Sequence, residues 1–125
     1  IKWVYHKFML IHKHKVSFLH AFNGIWVALT TQINIRIHFL VGSIVLFLSV
    51  YLHISTDQII ALVMAISMVM LAEMINTSLE FMADAVTLEH NENIKMAKDV
   101  AAGAVLITSI FAAVIGMFIF IPKII

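Results

Sequence analysis

One short stretch of the chain combines side chains that do chemistry with an otherwise apolar sequence. It carries two glutamates, an asparagine and an aspartate, at Glu73, Asn76, Glu80 and Asp84. At about 100° per residue on a helix, the three carboxylates fall within a narrow arc, and Asn76 lies about 60° from Glu73. Carboxylate and amide oxygens on one face are the hard-oxygen ligands that suit Mg²⁺.

The segment that precedes these residues predicts that they lie at membrane depth. Residues 58–72 contain no charged side chain, and ionisable groups on the continuation of such a helix are expensive unless they serve a function. Lys98 and Asp99 follow after a polar stretch. Phosphoryl transfer needs metal ligands, a cation for the phosphates and a base or positioner for the attacking hydroxyl. These polar residues together could supply all three.

Two other interpretations of the same residues stay open on sequence grounds. The polar side chains could form a buried network that joins helices, or they could line a path for an ion or a solute. A conduction role predicts carboxylates along a central path, whereas a kinase role predicts a helix face open to the cytoplasm with Lys98 within reach. We expect Lys98 and Asp99 to open the next span at the depth of Glu80, which favours the kinase role.

Composition indicates an integral membrane protein of one domain, residues 1–125. Hydrophobic residues make up 62% of the chain and charged residues 12%, against about 45–50% and 25% in soluble domains. The absence of cysteine excludes disulfides and thiolate metal sites. The four glycines do not form a Walker A motif, and the protein-kinase signatures are missing. No signal peptide is expected.

The expected elements are all helical. Residues 1–34 comprise a basic N-terminus and an amphipathic surface helix over residues 16–31, and three transmembrane helices are predicted over about residues 36–53, 58–84 and 99–121. Thr56 or Asp57 is the expected cap of the second span. At about 1.5 Å per residue this span exceeds the roughly 30 Å hydrocarbon core, so its last turns should stand in the interface or the cytosol.

The distribution of basic residues predicts the topology. Five lie before or at the start of the first span, two lie between the second and third spans, and none lies between the first and second. The positive-inside rule then places the N-terminus and residues 85–98 in the cytoplasm, with Lys123 alone dissenting. The carboxylate face would lie on the cytoplasmic side, where ATP is available.

Several motifs resemble the prokaryotic diacylglycerol kinase family. The central one comprises Glu73, Asn76, Thr77, Glu80 and Asp84. It is followed by residues 97–99 and 101–106, and upstream matches occur over residues 21–24 and 34–38. Residues 120–123 are similar to the Gram-positive branch, whose members are undecaprenol kinases. Only this last similarity favours undecaprenol over diacylglycerol as the lipid substrate.

The resemblance implies a homotrimer with one surface helix and three spans per subunit, and with active sites between subunits. Members of this family use Mg²⁺ and ATP to phosphorylate a lipid alcohol in the bacterial inner membrane, and the resemblance implies the same for this chain. No nucleic-acid partner is expected. The small residues Ala101, Gly103 and Ala104 would allow close packing of another helix.

The resemblance also implies roles for individual residues. Glu73 matches the family's general base, Asn76 a neighbouring polar residue of the site, and Glu80 a ligand of metal and nucleotide. The other implied nucleotide contacts are Lys13, Asp84, Glu89, His90, Asn91, Lys98 and Asp99. The implied lipid-facing residues are Ser17, Phe22, Asn23 and Trp26.

Two departures from the family pattern bear on the nucleotide site. Gln32 stands where the family usually has a metal-binding glutamate, so its amide oxygen can coordinate Mg²⁺ without contributing charge. Glu89, His90 and Asn91 stand where a Tyr-His pair is common. Three further histidines near expected membrane boundaries are interpreted as interfacial residues rather than ligands: His20, His38 and His53.

Overall fold

The computed structural model describes the backbone of residues 2–125 and the side chains of residues 17–125. Its helices are α1 Lys2–Thr31, α2 Ile33–Tyr51, α3 Thr56–Val86 and α4 Glu92–Ile124. The last three are long and apolar enough to cross a membrane. The all-helical membrane class is therefore confirmed, whereas the surface location of α1 stays a prediction. The chain divides into two units, residues 1–31 and 32–125, which are described separately.

The first unit is the single helix α1. Among its described side chains, the large apolar residues Phe22 and Trp26 are exposed. Near the end of α1, the Thr31 hydroxyl donates to the carbonyl oxygen of Val27 at 2.8 Å, a local bond that competes with helix propagation. Gln32 then takes an extended conformation with φ −106° and ψ 118°, which ends α1 and sets α2 apart as a new helix.

A tight turn joins α2 to α3. The backbone N–H of His53 donates to the carbonyl of Val50, and that of Ile54 donates to the carbonyl of Ser49, which is the Schellman pattern of a helix C-terminus. The pattern requires a left-handed residue, and His53 supplies it with φ 52°. The cap of α3 is Ser55, whose hydroxyl accepts from the backbone N–H of Gln58. The expectation of Thr56 or Asp57 as the cap was wrong, because both already lie within the first turn.

The connection between α3 and α4 is shorter than the sequence suggested. Asn91 caps α4 by accepting from the backbone N–H groups of Asn93 and Ile94, and Glu92 adds a negative charge to the first turn. Both features favour helix initiation. The residues before the predicted third span are therefore helical from Glu92 onward, and Lys98 lies within α4 rather than at its start.

In the second unit, α3 packs against both α2 and α4. Ile54, Leu62 and Ile119 form a buried apolar cluster at the end near the α2–α3 turn. Gly42 permits the close approach of α2 and α3, because a Cβ at this position would lie 2.8 Å from Cγ2 of Ile66. This packing fixes the register in which side chains of α2 face the polar residues of α3.

Candidate active site

The centre of the candidate site is a set of polar side chains that α3 buries. Glu73, Asn76 and Thr77 are 3%, 6% and 4% exposed, although neighbouring positions on the same helix are open. They occupy the side of α3 that is covered by protein. Burial of a carboxylate and an amide among apolar helices is costly unless partners or ligands compensate. The burial of both Glu73 and Asn76 agrees with the prediction that the two residues lie on one face of α3.

A histidine from α2 contacts the buried carboxylate. The Nε2 atom of His38 lies 3.4 Å from Oε1 of Glu73, and the two side chains are 28% and 4% exposed. The sequence interpretation of His38 as an interfacial residue did not include this contact. No spacing rule could have found it, because the two residues are on different helices and meet only through the packing of α2 on α3.

Asn76 lies between Glu73 and Glu80 along α3 and contacts Glu80. Its Nδ2 donates to Oε1 of Glu80 at 3.1 Å, which fixes the amide and aligns the carboxylate one turn further along the helix. The other end of the amide, Oδ1, is buried without a hydrogen-bond partner. A buried acceptor without a hydrogen bond lowers the stability of the folded state by about 1–3 kcal/mol. This oxygen is therefore suited to accept a hydrogen bond from a ligand or to coordinate a metal ion.

Further along α3, the face connects to α4 through an ion pair. Nζ of Lys98 donates to Oδ1 of Asp84 at 2.6 Å, and the two side chains are about one-third and one-half exposed. Asp84 thus holds Lys98 at the solvent-accessible end of the carboxylate face, and its role toward the nucleotide stays a prediction. Asp99 turns to a different partner and lies 3.6 Å from Lys95 one turn earlier in α4.

The residues between α3 and α4 are open to solvent. Glu89 and His90 are exposed, and the Nε2 atom of His90 lies 2.6 Å from a carboxylate oxygen of Glu92. Asn91 uses its Oδ1 atom as the helix cap, so its Nδ2 amide is the group that remains for a ligand. The predicted nucleotide contacts of this segment stay predictions.

The other predicted site residues lie at the start of α2 and in α1. Gln32 is half-buried at the start of α2, and among the described side chains it makes no hydrogen bond with Glu80. The predicted lipid-facing residues of α1 are exposed and belong to the other unit: Ser17, Phe22, Asn23 and Trp26. The side chain of Lys13 lies outside the described residues.

The carboxylate face has an oxygen donor set that fits Mg²⁺. Glu80 and the unpaired Oδ1 of Asn76 are hard-oxygen groups, and Mg²⁺ is commonly held by one or two carboxylates together with substrate phosphates. Within the described part of the chain, no three His, Asp or Glu side chains form a metal cluster by themselves. A magnesium ion here would therefore need oxygens from the nucleotide or from another subunit.

A groove of about 440 Å³ lies between α2, α3 and α4. Its walls are mainly apolar, and His38 and Ser109 are the polar side chains among the residues lining it. The Ser109 hydroxyl is buried and has no hydrogen-bond partner. Because His38 also contacts Glu73, an apolar chain in this groove would run close to the buried carboxylate.

Comparison with known proteins identifies similar chains. Residues 19–120 match the model of a family described as prokaryotic diacylglycerol kinase. An undecaprenol kinase of Bacillus subtilis is 34% identical over 107 residues, which cover 86% of this chain and 87% of that protein. A diacylglycerol kinase of a Synechocystis species is 38% identical over 108 residues, which cover 86% of this chain and 62% of that protein.

Proposed function

The chain belongs to the prokaryotic diacylglycerol kinase family and is a membrane lipid kinase, and from that premise we propose that it transfers the γ-phosphoryl group of ATP to the hydroxyl group of undecaprenol. The observation that carries the proposal is the buried Glu73 on a helix face that it shares with Asn76 and Glu80. Family membership removes the support for a non-enzymatic membrane protein, the alternative that the sequence left open.

The choice of undecaprenol rests on the relatives. The undecaprenol kinase matches this chain over nearly its whole length, whereas the diacylglycerol kinase extends well beyond the matched part. The similarity of residues 120–123 to the Gram-positive branch supports the same choice. Diacylglycerol is the second candidate, because the relative of that name is also similar at 38% identity.

Glu73 is proposed as the general base. The lipid hydroxyl oxygen forms the new bond to the γ-phosphorus, and its proton passes to the Glu73 carboxylate. The bond from the γ-phosphorus to the bridging oxygen breaks, and ADP leaves. Burial keeps water away from the carboxylate, so the hydroxyl group of a bound lipid is its intended proton donor. Asn76 holds Glu80 through its Nδ2 amide.

The outer part of the face is proposed to bind the nucleotide. Lys98, which Asp84 holds in place, places a positive charge where phosphates would lie. Mg²⁺, when bound with ATP, would neutralise phosphate charge, and Glu80 and Gln32 with the Asn76 Oδ1 atom are the residues proposed to hold it. Lys13, Asp99 and residues 89–91 remain the further proposed nucleotide contacts.

The proposed assembly is a homotrimer in the bacterial cytoplasmic membrane, with its N-terminus in the cytoplasm. The positions of the basic residues support this orientation. Among the described residues, no three His, Asp or Glu side chains form a metal cluster, which supports a site that a neighbouring subunit completes. Exposed Ser17, Phe22, Asn23 and Trp26 of α1 are proposed to face the lipid substrate.

The test is a phosphoryl-transfer assay with purified protein in lipid micelles and radiolabelled ATP. Undecaprenol and diacylglycerol are supplied separately at matched mole fractions, with Mg²⁺ present or chelated. We expect label in undecaprenyl phosphate that depends on Mg²⁺. Label in phosphatidic acid alone would replace the proposed substrate with diacylglycerol, and label in neither lipid would overturn the proposed function.

A further inference from the structure

His38 is the side chain of a second helix that faces the proposed base. Among the described residues, the ion-pair contact of Glu73 with another helix is made by His38 of α2, at 3.4 Å between Nε2 and Oε1. The carboxylate makes no hydrogen bond with its own helix among the described contacts. A glutamate side chain has three rotatable bonds, so burial alone does not fix the direction of its oxygens.

We propose that His38 is a positioning residue, which holds the Glu73 carboxylate in the orientation that receives the lipid proton; the proposal rests on the role of Glu73 in the proposed function. His38 contacts one carboxylate oxygen, Oε1. The second oxygen is then left to meet the substrate hydroxyl. An imidazole with its proton on Nε2 is able to act as a donor toward a carboxylate oxygen.

The packing of α2 on α3 supports this role. Gly42 lies one turn after His38 on α2, and it allows close contact with Ile66, about two turns before Glu73 on α3. The same helix contact that needs glycine therefore sets the separation between the imidazole and the carboxylate. His38 is also less buried than Glu73 and lines the apolar groove, so it covers the carboxylate on the side where a lipid chain would lie.

The experiment compares three substitutions at position 38. His38→Leu removes every donor, His38→Gln keeps an amide N–H near the place of Nε2, and His38→Asn carries its amide closer to the backbone, near the place of Nδ1. We expect His38→Leu and His38→Asn to lower kcat about 10- to 100-fold, because small misplacement of a reacting group costs up to about 10²-fold. His38→Gln should recover most of the loss. KM for ATP and undecaprenol should change by less than about threefold in all three, since binding is not altered.

A double-substitution cycle separates positioning from general stability. In a Glu73→Gln background, His38→Leu should cause little further loss of kcat, because residues that act as one unit are not additive. His53→Asn is the control, since it removes an exposed histidine at the α2–α3 turn and keeps a residue that tolerates its positive φ.

The outcomes distinguish this proposal from the proposed function. Wild-type kcat in His38→Leu, equal loss in His38→Gln and His38→Asn, or additive effects with Glu73→Gln would each overturn the positioning role and leave the lipid kinase intact. Absence of phosphoryl transfer by the unsubstituted protein would overturn the proposed function and this role together.

Discussion

At the scale of single residues, the carboxylate face of α3 shows a gradient of exposure. Glu73 is buried, Glu80 is half-buried and Asp84 is exposed. Along the helix, about 10 Å separates Glu73 from Glu80. An apolar lipid and a charged nucleotide need opposite environments, and the two ends of this face differ in the way that the proposed function requires.

The glutamine at position 32 leads to a testable expectation about the metal. Gln32→Glu adds a negative charge at the position where the family usually has a carboxylate ligand. We expect Mg²⁺ to be bound about tenfold more tightly, an effect of the size that changes around metal ligands typically produce. The measurement is the Mg²⁺ dependence of turnover, together with Mn²⁺ binding in the presence of ADP as a readout that needs no catalysis.

A matched control for this change is Asn34→Asp, which adds the same charge two residues later on an exposed position. It should leave metal affinity nearly unchanged. If Gln32→Glu changes neither metal affinity nor turnover, Gln32 does not belong to the metal site.

The residue types of the site could be predicted from sequence, but their partners could not. Helical spacing places Glu73, Glu80 and Asp84 on one face, and the structure adds the bond from Asn76 to Glu80 within that helix. The contacts from Lys98 to Asp84 and from His38 to Glu73 join different helices. They depend on how the helices pack, and one sequence carries no direct record of that packing.

At the scale of helices, the contact between α2 and α3 depends on one glycine. A methyl group at Gly42 would meet Cγ2 of Ile66 at 2.8 Å. Ile66 is β-branched and has little freedom to turn away within a helix. The sequence pattern favours small residues of α4 for close packing instead, but a Cβ at Gly103 would meet none of the described atoms within 4 Å.

This contact predicts the effect of adding a methyl group. Gly42→Ala should lower the free energy of unfolding by about 1–3 kcal/mol relative to Gly116→Ala, because overpacking forces the helices apart. Gly116 is also helical and has open space around it, so the comparison cancels the gain in helix propensity. The measurement is reversible unfolding in detergent micelles, and equal stability of the two variants would contradict the close contact.

Helix boundaries illustrate what local sequence can and cannot predict. The sequence predicts three membrane-spanning helices, and the described residues contain three helices that are long and apolar enough to cross a membrane. The cap of α3 was assigned to the wrong residue, because Ser55, Thr56 and Asp57 are all good capping types and only the backbone decides among them. The start of α4 was missed because the polar residues of its first turns resemble a loop, although Asn91 and Glu92 are helix-start signals.

At the scale of the whole molecule, one chain leaves much of the proposed site uncovered. Large apolar side chains remain exposed on every membrane-spanning helix, and lipid tails can cover them. Lipid tails cannot complete a binding site for a metal ion and a nucleotide, because these ligands need further oxygen atoms and cationic groups that lipid tails do not supply. This is the physical reason for expecting a homotrimer with sites between subunits.

The proposed homotrimer has a direct test. We expect native mass spectrometry of the detergent-solubilised protein to give three chains per particle. Mixing Glu73→Gln chains with Lys98→Met chains should restore some activity if a site takes these residues from different subunits. A monomeric particle with full activity would rule out the assembly. Trimers that show no complementation would mean that one subunit supplies both Glu73 and Lys98 to each site.

The central claim is that the buried carboxylate of Glu73 takes the proton of the lipid hydroxyl. The most direct measurement is kcat of Glu73→Gln in lipid micelles, together with its affinity for Mg²⁺-ATP. General-base catalysis typically contributes about 10²–10⁴-fold, so kcat should fall by that factor. Glu80→Gln is the matched comparison and should weaken Mg²⁺-ATP binding as well. The predicted result is that Glu73→Gln loses kcat and keeps a nearly unchanged affinity for Mg²⁺-ATP. A kcat close to that of the unsubstituted protein would contradict the account.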